Sequence, residues 1–241
     1  MTVRLAVWSG PRNISTALMR AWENRPDCAV WDEPFYAAYL HRTGLDHPAR
    51  DAVIAAGETS PDAVVAALLG PAPGGAAIFY SKQMSHHLAA GMDLGWTAGL
   101  RNVLLVREPR EVVASYVRSR EACSPADLGV LQQERLAAYW DRRGLDVPVL
   151  DSADFLADPE GQLRWLCRWL GVPFTPAMLS WPAGPRDSDG VWAPHWYAAV
   201  WASTGFAPAR PRSVVLDGPG AAVAEACRPA YEALRARRLV L

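Results

Sequence analysis

The sequence predicts a three-layer α/β fold: a central, mostly parallel sheet of about five strands with helices on both faces. Three observations lead there. Short apolar runs recur along the chain, they are separated by segments of helical periodicity, and most lack the polar alternation of a half-exposed strand. Strands buried on both faces read this way, and antiparallel strands with one wet face do not.

Val3–Ser9 is the first strand. It enters Gly10-Pro11-Arg12-Asn13-Ile14, a turn rich in backbone breakers, and then a helix over Ser15–Asn24. Cys28–Asp32 is a second strand, ended by Glu33-Pro34. Pro61–Leu69 is a short helix, Gly70–Gly75 a loop, and Ala76–Ser81 a third strand with Lys82 at its end and His86-His87 just beyond. Arg101–Val106 is a fourth strand. Pro109 then stands at the first position of a helix with Val112, Val113, Tyr116 and Val117 on one side. Pro125–Arg143 reads as another helix, Val147–Leu150 as the fifth strand, and Ala153–Leu170 as a helix stopped by Gly171. After Thr175 come loops rich in Pro, Gly and Trp and a last helix over Gly220–Arg237. No internal repeat or low-complexity tract appears. Residues 1–241 read as one domain, with a core over 1–175 and an aromatic-rich cap or tail over 176–241.

Composition narrows the function classes. A formal net charge of −1 over 241 residues gives no global attraction to nucleic acid or an anionic membrane. Apolar runs are too short for a membrane span, and Met1–Gly10 lacks the basic start and long apolar stretch of a secretory signal. Cys28, Cys123, Cys167 and Cys227 have neither zinc-ligand spacing nor a disulfide framework, so no metal is expected and a reducing cytoplasm is the expected setting. All but one of the 24 basic residues are arginines. Lys82 is the exception, which marks it as a place where a compact ammonium is needed.

Two loops carry the chemistry. In the first, strand, tight turn and helix bring Gly10, Arg12, Ser15 and Thr16 together, with helix N–H groups and a guanidinium suited to a phosphate or sulfate. It is not a Walker A loop, which needs a second glycine followed by lysine, so ATP held with magnesium is disfavoured. An ordinary strand-to-helix turn capped by Ser15 is the competing reading. In the second loop, Arg107 sits at the carboxyl end of a buried strand, where open parallel sheets bind ligands. Ser115 follows two helical turns on, and Arg118 three residues later on the same face, a grip for a second phosphate away from the first.

With Arg107-Glu108-Pro109…Ser115 the chain resembles the sulfotransferases that use PAPS, the adenine-nucleotide sulfate donor, and in particular a bacterial sulfotransferase-like branch. The stretch from Val147 through Asp154, Pro159 and Leu166 to Gly171-Val-Pro resembles that family's late strand and helix, so the likeness runs over residues 3–175. It implies a P-loop-like sheet. It implies that Gly10, Pro11, Arg12, Asn13, Ile14, Ser15 and Thr16 hold the 5′-phosphosulfate, and that Arg107 and Ser115 hold the 3′-phosphate. The sequence departs from the family at Arg12, where lysine is frequent, at Ile14, where glycine is frequent, and at Glu108, where Asn or Asp is usual.

The reaction expected from the resemblance moves a sulfuryl group from PAPS, leaving PAP, to a hydroxyl or amine of a small-molecule acceptor, without a metal. Positioning and charge supply most of the catalysis. Arg12, and after it Lys82, is the cation for the leaving phosphate. Glu33 is the favoured base and His86 its rival. Trp192, Trp196, Tyr197 and Trp201 serve as packed helix face or as pocket wall, and Arg186–Gly190 loosely matches a loop that closes the donor site in the family. A homodimer is compatible with the chain. Two further readings stand beside this one: a PAP- or PAPS-binding module without turnover, and a pyridoxal-phosphate transaminase with Lys82 as its lysine.

Overall fold

A computed structural model of the protein describes residues 2–118, 122–208 and 214–241. Five strands form one all-parallel sheet: β1 (Val3–Ser9), β2 (Cys28–Asp32), β3 (Ile78–Met84), β4 (Arg101–Val106) and β5 (Val149–Asp151), in the order β2-β3-β1-β4-β5. The helices that follow in chain order are α1 (Ser15–Glu23), α2 (Tyr36–Thr43), α3 (Arg50–Ala56), α4 (Pro61–Leu69), α5 (Pro109–Tyr116), α6 (Val130–Asp141), α7 (Ser152–Ala157), α8 (Pro159–Leu170), α9 (Ala193–Trp196), α10 (Ala198–Trp201) and α11 (Gly218–Arg235). The expected α/β architecture is present.

The period-two geometry of a strand splits the sheet's side chains between two cores. Ala6, Trp8, Leu104 and Val106 pack on one face against α5, α6 and α11 through Val113, Leu136, Trp140 and Cys227. Leu5, Val7, Tyr80, Val103 and Leu105 pack on the other against α1 and α8 through Leu18, Trp22, Leu163 and Leu166. Two tryptophans on the first face keep their polar ends satisfied: Trp8 Nε1 donates to Asn102 at 2.9 Å, and Trp140 Nε1 to Thr97 Oγ1 at 2.9 Å. A third cluster joins α2 and α3 to Trp192, Ala193 and Tyr197 and forms a cap at one end of the sheet.

Several elements differ from the sequence reading. β3 runs through Met84 instead of stopping at Ser81, and all seven of its residues are buried. Its polar run Ser81-Lys82-Gln83 resembles a strand end because burying it requires partners supplied from elsewhere. The helix expected over Pro125–Arg143 is split by Gly129, whose φ of +75° belongs to the left-handed region. A 3₁₀ turn over Pro125–Leu128 precedes it and α6 follows. The helix expected over Ala153–Leu170 breaks at Asp158, whose carboxylate caps α8 by accepting from Gly161 N at 2.9 Å, with Pro159 at the first position. β5 is Val149–Asp151, shifted from Val147–Leu150, and α11 begins and ends two residues before its expected bounds. α2 and α3 were not foreseen. Neither has a side-chain cap, and α3 starts from Ala49 at a positive φ, so no start signal is written in the sequence.

Gly10 is required by packing. A Cβ there would stand 1.9 Å from the carbonyl oxygen of Leu128, which is backbone and cannot swing away. Gly10→Ala is expected to cost about 1–3 kcal/mol or more as overpacking, lowering Tm by several degrees in thermal denaturation; an unchanged Tm would contradict this contact.

Candidate functional site

The register of the sheet brings the chemistry-bearing segments to one edge. Ser9 of β1 pairs with Met84 of β3 on one side and Leu105 of β4 on the other, while Lys82 pairs with Asp32 of β2. The turn after β1, Glu33, His86 and Arg107 therefore all emerge at the carboxyl ends of adjacent strands. The chain moves outward from β1 to opposite sides here, the switch point where open α/β sheets form a crevice. A cleft of about 360 Å³ opens at this edge. The residues singled out above for donor binding or catalysis line it, except Gly10, which serves the Leu128 contact instead, and Arg118.

The cationic half of the cleft is one cradle, where the sequence suggested two separate grips. Arg12 Nε donates to Ser115 Oγ at 3.0 Å, and Arg107 Nη1 donates to the carbonyl oxygen of Arg12 at 2.7 Å. That bond holds Arg12 at φ +56°, an uncommon conformation for a side chain of its size. Arg107 also forks onto Glu111, at 3.0 and 2.9 Å. Asn13 spans the turn, donating to Leu105 O at 3.0 Å while its Oδ1 accepts from Ile14 N at 2.8 Å. Helix α1 then begins with no side-chain cap, so the capping role considered for Ser15 is not what holds it. The first-turn N–H groups of Ser15, Thr16 and Ala17, which have no partner inside a helix, belong to residues that line the cleft. Burial, reinforced by the nearby charges of Arg118 and Arg107, lowers the pKa of Arg12 from its ordinary value. Glu108 accepts from Glu111 N at 3.0 Å and caps α5, so its departure from Asn or Asp leaves the capping function in place.

The other half of the cleft holds a buried acid–base cluster. Lys82 lies inside β3, with its side chain 2% exposed, and is neither at the strand end nor solvated. Its ammonium donates to Asp32 Oδ1 at 2.8 Å, Glu33 Oε1 at 2.8 Å and the Tyr197 hydroxyl at 2.5 Å. All three hydrogens are used, so Lys82 does not extend a free ammonium toward the cradle. Glu33 sits at φ +47°, held by its N–H to Lys82 O and by Tyr36 N to its own carbonyl, each at 3.0 Å. Burial raises the Glu33 pKa, with Lys82 pulling against it and Asp32 adding to it. Lys82 is held charged, well above its ordinary value; burial opposes this, and the two carboxylates outweigh it.

His86 lines the cleft edge-on to Tyr39 and His87, with its Nδ1 unpartnered, and burial pulls its pKa down to about 4. His87 is stacked between the rings of Tyr36 and Tyr39, at 4.7 Å from each, and burial lowers its pKa well below the ordinary value. Tyr36 and His47 are lining residues not selected from sequence, while Tyr197, named above as packed face or pocket wall, also lines the cleft. The Trp-rich tail serves both roles weighed for it: Trp192 is core, packed edge-on to Tyr36, while Trp196 lines the cleft. The loop Arg186–Gly190 does not line the cleft. It ties down on α1, where the fully buried Arg20 pairs with Asp189, and Ser188 donates to Glu23.

Comparison with known proteins agrees with this fold. Two curated proteins of Arabidopsis thaliana, branched-chain-amino-acid aminotransferase-like proteins 2 and 1, are 33% and 36% identical to the chain over 95% and 83% of its length. The chain spans only 40% and 36% of those plant proteins. Among solved structures, the fold is similar to the sulfotransferase domain from the curacin biosynthetic pathway, at TM-score 0.56 and 16% identity over 95% of this chain and 98% of that one. It is similar also to a sulfotransferase from Alicyclobacillus acidocaldarius, at TM-score 0.54 and 14% identity over 99% and 98% of the two chains. The sequence profile of the sulfotransferase domain matches residues 3–238, nearly the whole chain and both halves of the cleft, and the protein belongs to that family.

Proposed function

We propose that this protein transfers a sulfuryl group from PAPS to a hydroxyl or amine of a small-molecule acceptor. The observation that carries the reading is the cradle: Arg12, strained and set among the charges of Arg107 and Arg118, stands at the open start of α1 in the same cleft as Ser115. Guanidinium groups gathered in this way are relieved by an anion, and a doubly phosphorylated nucleotide matches a cradle built from two adjacent strands.

The residues present fit such a donor. When bound, PAPS supplies an activated sulfuryl group, transferred in line with departure of the phosphate. Arg12 and the α1 N–H groups stabilise charge on the departing phosphate side, and Arg107 with Ser115 orient the 3′-phosphate. Glu33 takes the acceptor's proton as the new bond to sulfur forms. Burial pushes Glu33 and His86 in opposite directions, up for the carboxyl and down to about 4 for the imidazole, which makes Glu33 the better proton acceptor near neutrality. The transaminase alternative needs a lysine that presents a neutral amine, whereas Asp32 and Glu33 hold Lys82 as ammonium. The plant relatives' aminotransferase-like names describe proteins more than twice this chain's length. In this reading the partners are small molecules, the setting is a reducing cytoplasm, and no metal takes part.

Thermal denaturation with PAP, ATP and pyridoxal phosphate tests the reading. At 100-fold excess over Kd, a ligand stabilises the fold by about 2.7 kcal/mol, a rise of roughly 5–10 °C for a chain of this size. PAP is expected to give that rise, and Arg107→Ala to abolish it. A full PAP shift in Arg107→Ala would remove the 3′-phosphate from this cradle. A shift with pyridoxal phosphate alone would favour the transaminase alternative.

A further inference from the structure

The third partner of Lys82 comes from a distant part of the chain. Asp32 and Glu33 close β2, but Tyr197 lies 115 residues beyond Lys82, between α9 and α10. Its hydroxyl accepts from Lys82 at 2.5 Å and donates to the second oxygen of Asp32 at 2.5 Å, while Trp192 Nε1 donates to the Tyr197 oxygen at 3.3 Å. The Lys82 ammonium also stands 4.8 Å from the centre of the Tyr197 ring. One ammonium between two carboxylates has two ways to close, and in a buried site it settles on the carboxylate less well satisfied. The phenol decides between them. By donating to Asp32 it meets part of that carboxylate's demand, and by accepting from Lys82 it keeps the ammonium where Glu33 also reaches it.

We propose that Tyr197 is a positioning residue for Glu33: seating of the C-terminal segment places its phenol between Asp32 and Lys82 and thereby fixes the Lys82–Glu33 contact at the cleft. The inference rests on Glu33 being the proton acceptor of the proposed transfer. The other titratable groups facing this network are Tyr80 on β3, held protonated by burial, and His87 beyond it, held neutral by burial, so neither competes for the ammonium as an anion or repels it as a cation. The segment carrying Tyr197 is tied to α1 by the Arg20–Asp189 pair and the Ser188–Glu23 hydrogen bond. One stretch of chain therefore touches the helix of the anion cradle and, through Lys82, acts on the base.

The test is a carbon-detected NMR titration of the Glu33 carboxyl in wild type, Tyr197→Phe and Asp32→Asn, with PAP affinity measured alongside. In Tyr197→Phe, Asp32 loses a donor and draws the ammonium away, so Glu33 is expected to titrate about one pH unit higher. PAP affinity should stay within about threefold, because Arg12 and Arg107 are not in contact with Tyr197. In Asp32→Asn the ammonium is left to Glu33 alone, and the titration is expected to move the opposite way. Identical Glu33 titrations in wild type and Tyr197→Phe overturn the proposal. Should Tyr197→Phe not fold, the wild type decides. Its Tyr197 hydroxyl proton is expected as a slowly exchanging resonance with a cross-peak to Lys82, and a freely exchanging hydroxyl overturns the proposal. Expected titration shifts together with wild-type transfer by Glu33→Gln leave the positioning network standing and remove only the base assignment.

Discussion

Lys82→Met is expected to destabilise the protein by about 3–5 kcal/mol, because it leaves buried acids without their counter-charge. In a chain of this length that is a fall of roughly 6–20 °C in Tm. The deficit arises at two carboxylates that share one ammonium at 2.8 Å each, with the Asp32 side chain 1% and that of Glu33 11% exposed. Its pH dependence has a definite sign. The Glu33 pKa is already raised by burial in the wild-type fold, and loss of Lys82 removes the opposing pull. A folded pKa above the unfolded one means that the folded state holds the proton more tightly, so stability is lost as pH rises from the ordinary carboxylate range through the raised value. Lys82→Met is therefore expected to unfold more readily at pH 7 than at pH 5, and adding Asp32→Asn should recover part of the loss. Denaturant unfolding at the two pH values checks this. Equal stability of Lys82→Met and wild type at pH 7 would mean that the ammonium is not the structural counter-charge.

Glu33→Gln is expected to lower the rate of sulfuryl transfer by about 10²–10⁴-fold while PAP binding persists. The substitution keeps the shape of the side chain and an oxygen for Lys82, but removes the proton acceptor. In the wild type, transfer should fall as pH drops through the Glu33 pKa, which burial holds above the ordinary carboxylate value. If His86 were the base, the acid limb would lie near its own depressed value of about 4, with activity retained to lower pH. Transfer from labelled PAPS measured across pH in wild type, Glu33→Gln and His86→Ala separates the two. Wild-type turnover by Glu33→Gln, with loss in His86→Ala, would hand the role to the histidine.

Much of this site was legible because the residues that form the cradle sit in two contiguous stretches. Gly10–Thr16 and Arg107–Ser115 each combine a strand end, a turn and a helix start, a local pattern suited to anions whose specific roles came from the family resemblance. What could not be read was their union. Nothing in the spacing says that β1 and β4 are neighbours, and it is the pairing of Ser9 with Leu105 that lets Arg12 reach Ser115 and Arg107 reach the Arg12 carbonyl. Gly10 looked like part of an anion loop because glycine commonly serves that end. Its actual constraint, the Leu128 carbonyl, lies more than a hundred residues away in sequence. The missed helices α2 and α3 carry no side-chain cap at their starts, and their apolar faces acquire meaning only against Trp192 and Tyr197.

Lys82 divides the two kinds of information most sharply. Its standing as the one lysine in an arginine-rich chain marked it as a needed ammonium, and that followed from composition alone. That it lies mid-strand, buried, and held by Asp32, Glu33 and Tyr197 was decided by the tertiary structure. Local sequence sets which groups can carry charge and which backbone turns can form. Whether a charge is exposed or paired depends on strands and caps brought together from across the chain, because burial is a property of the assembled neighbours.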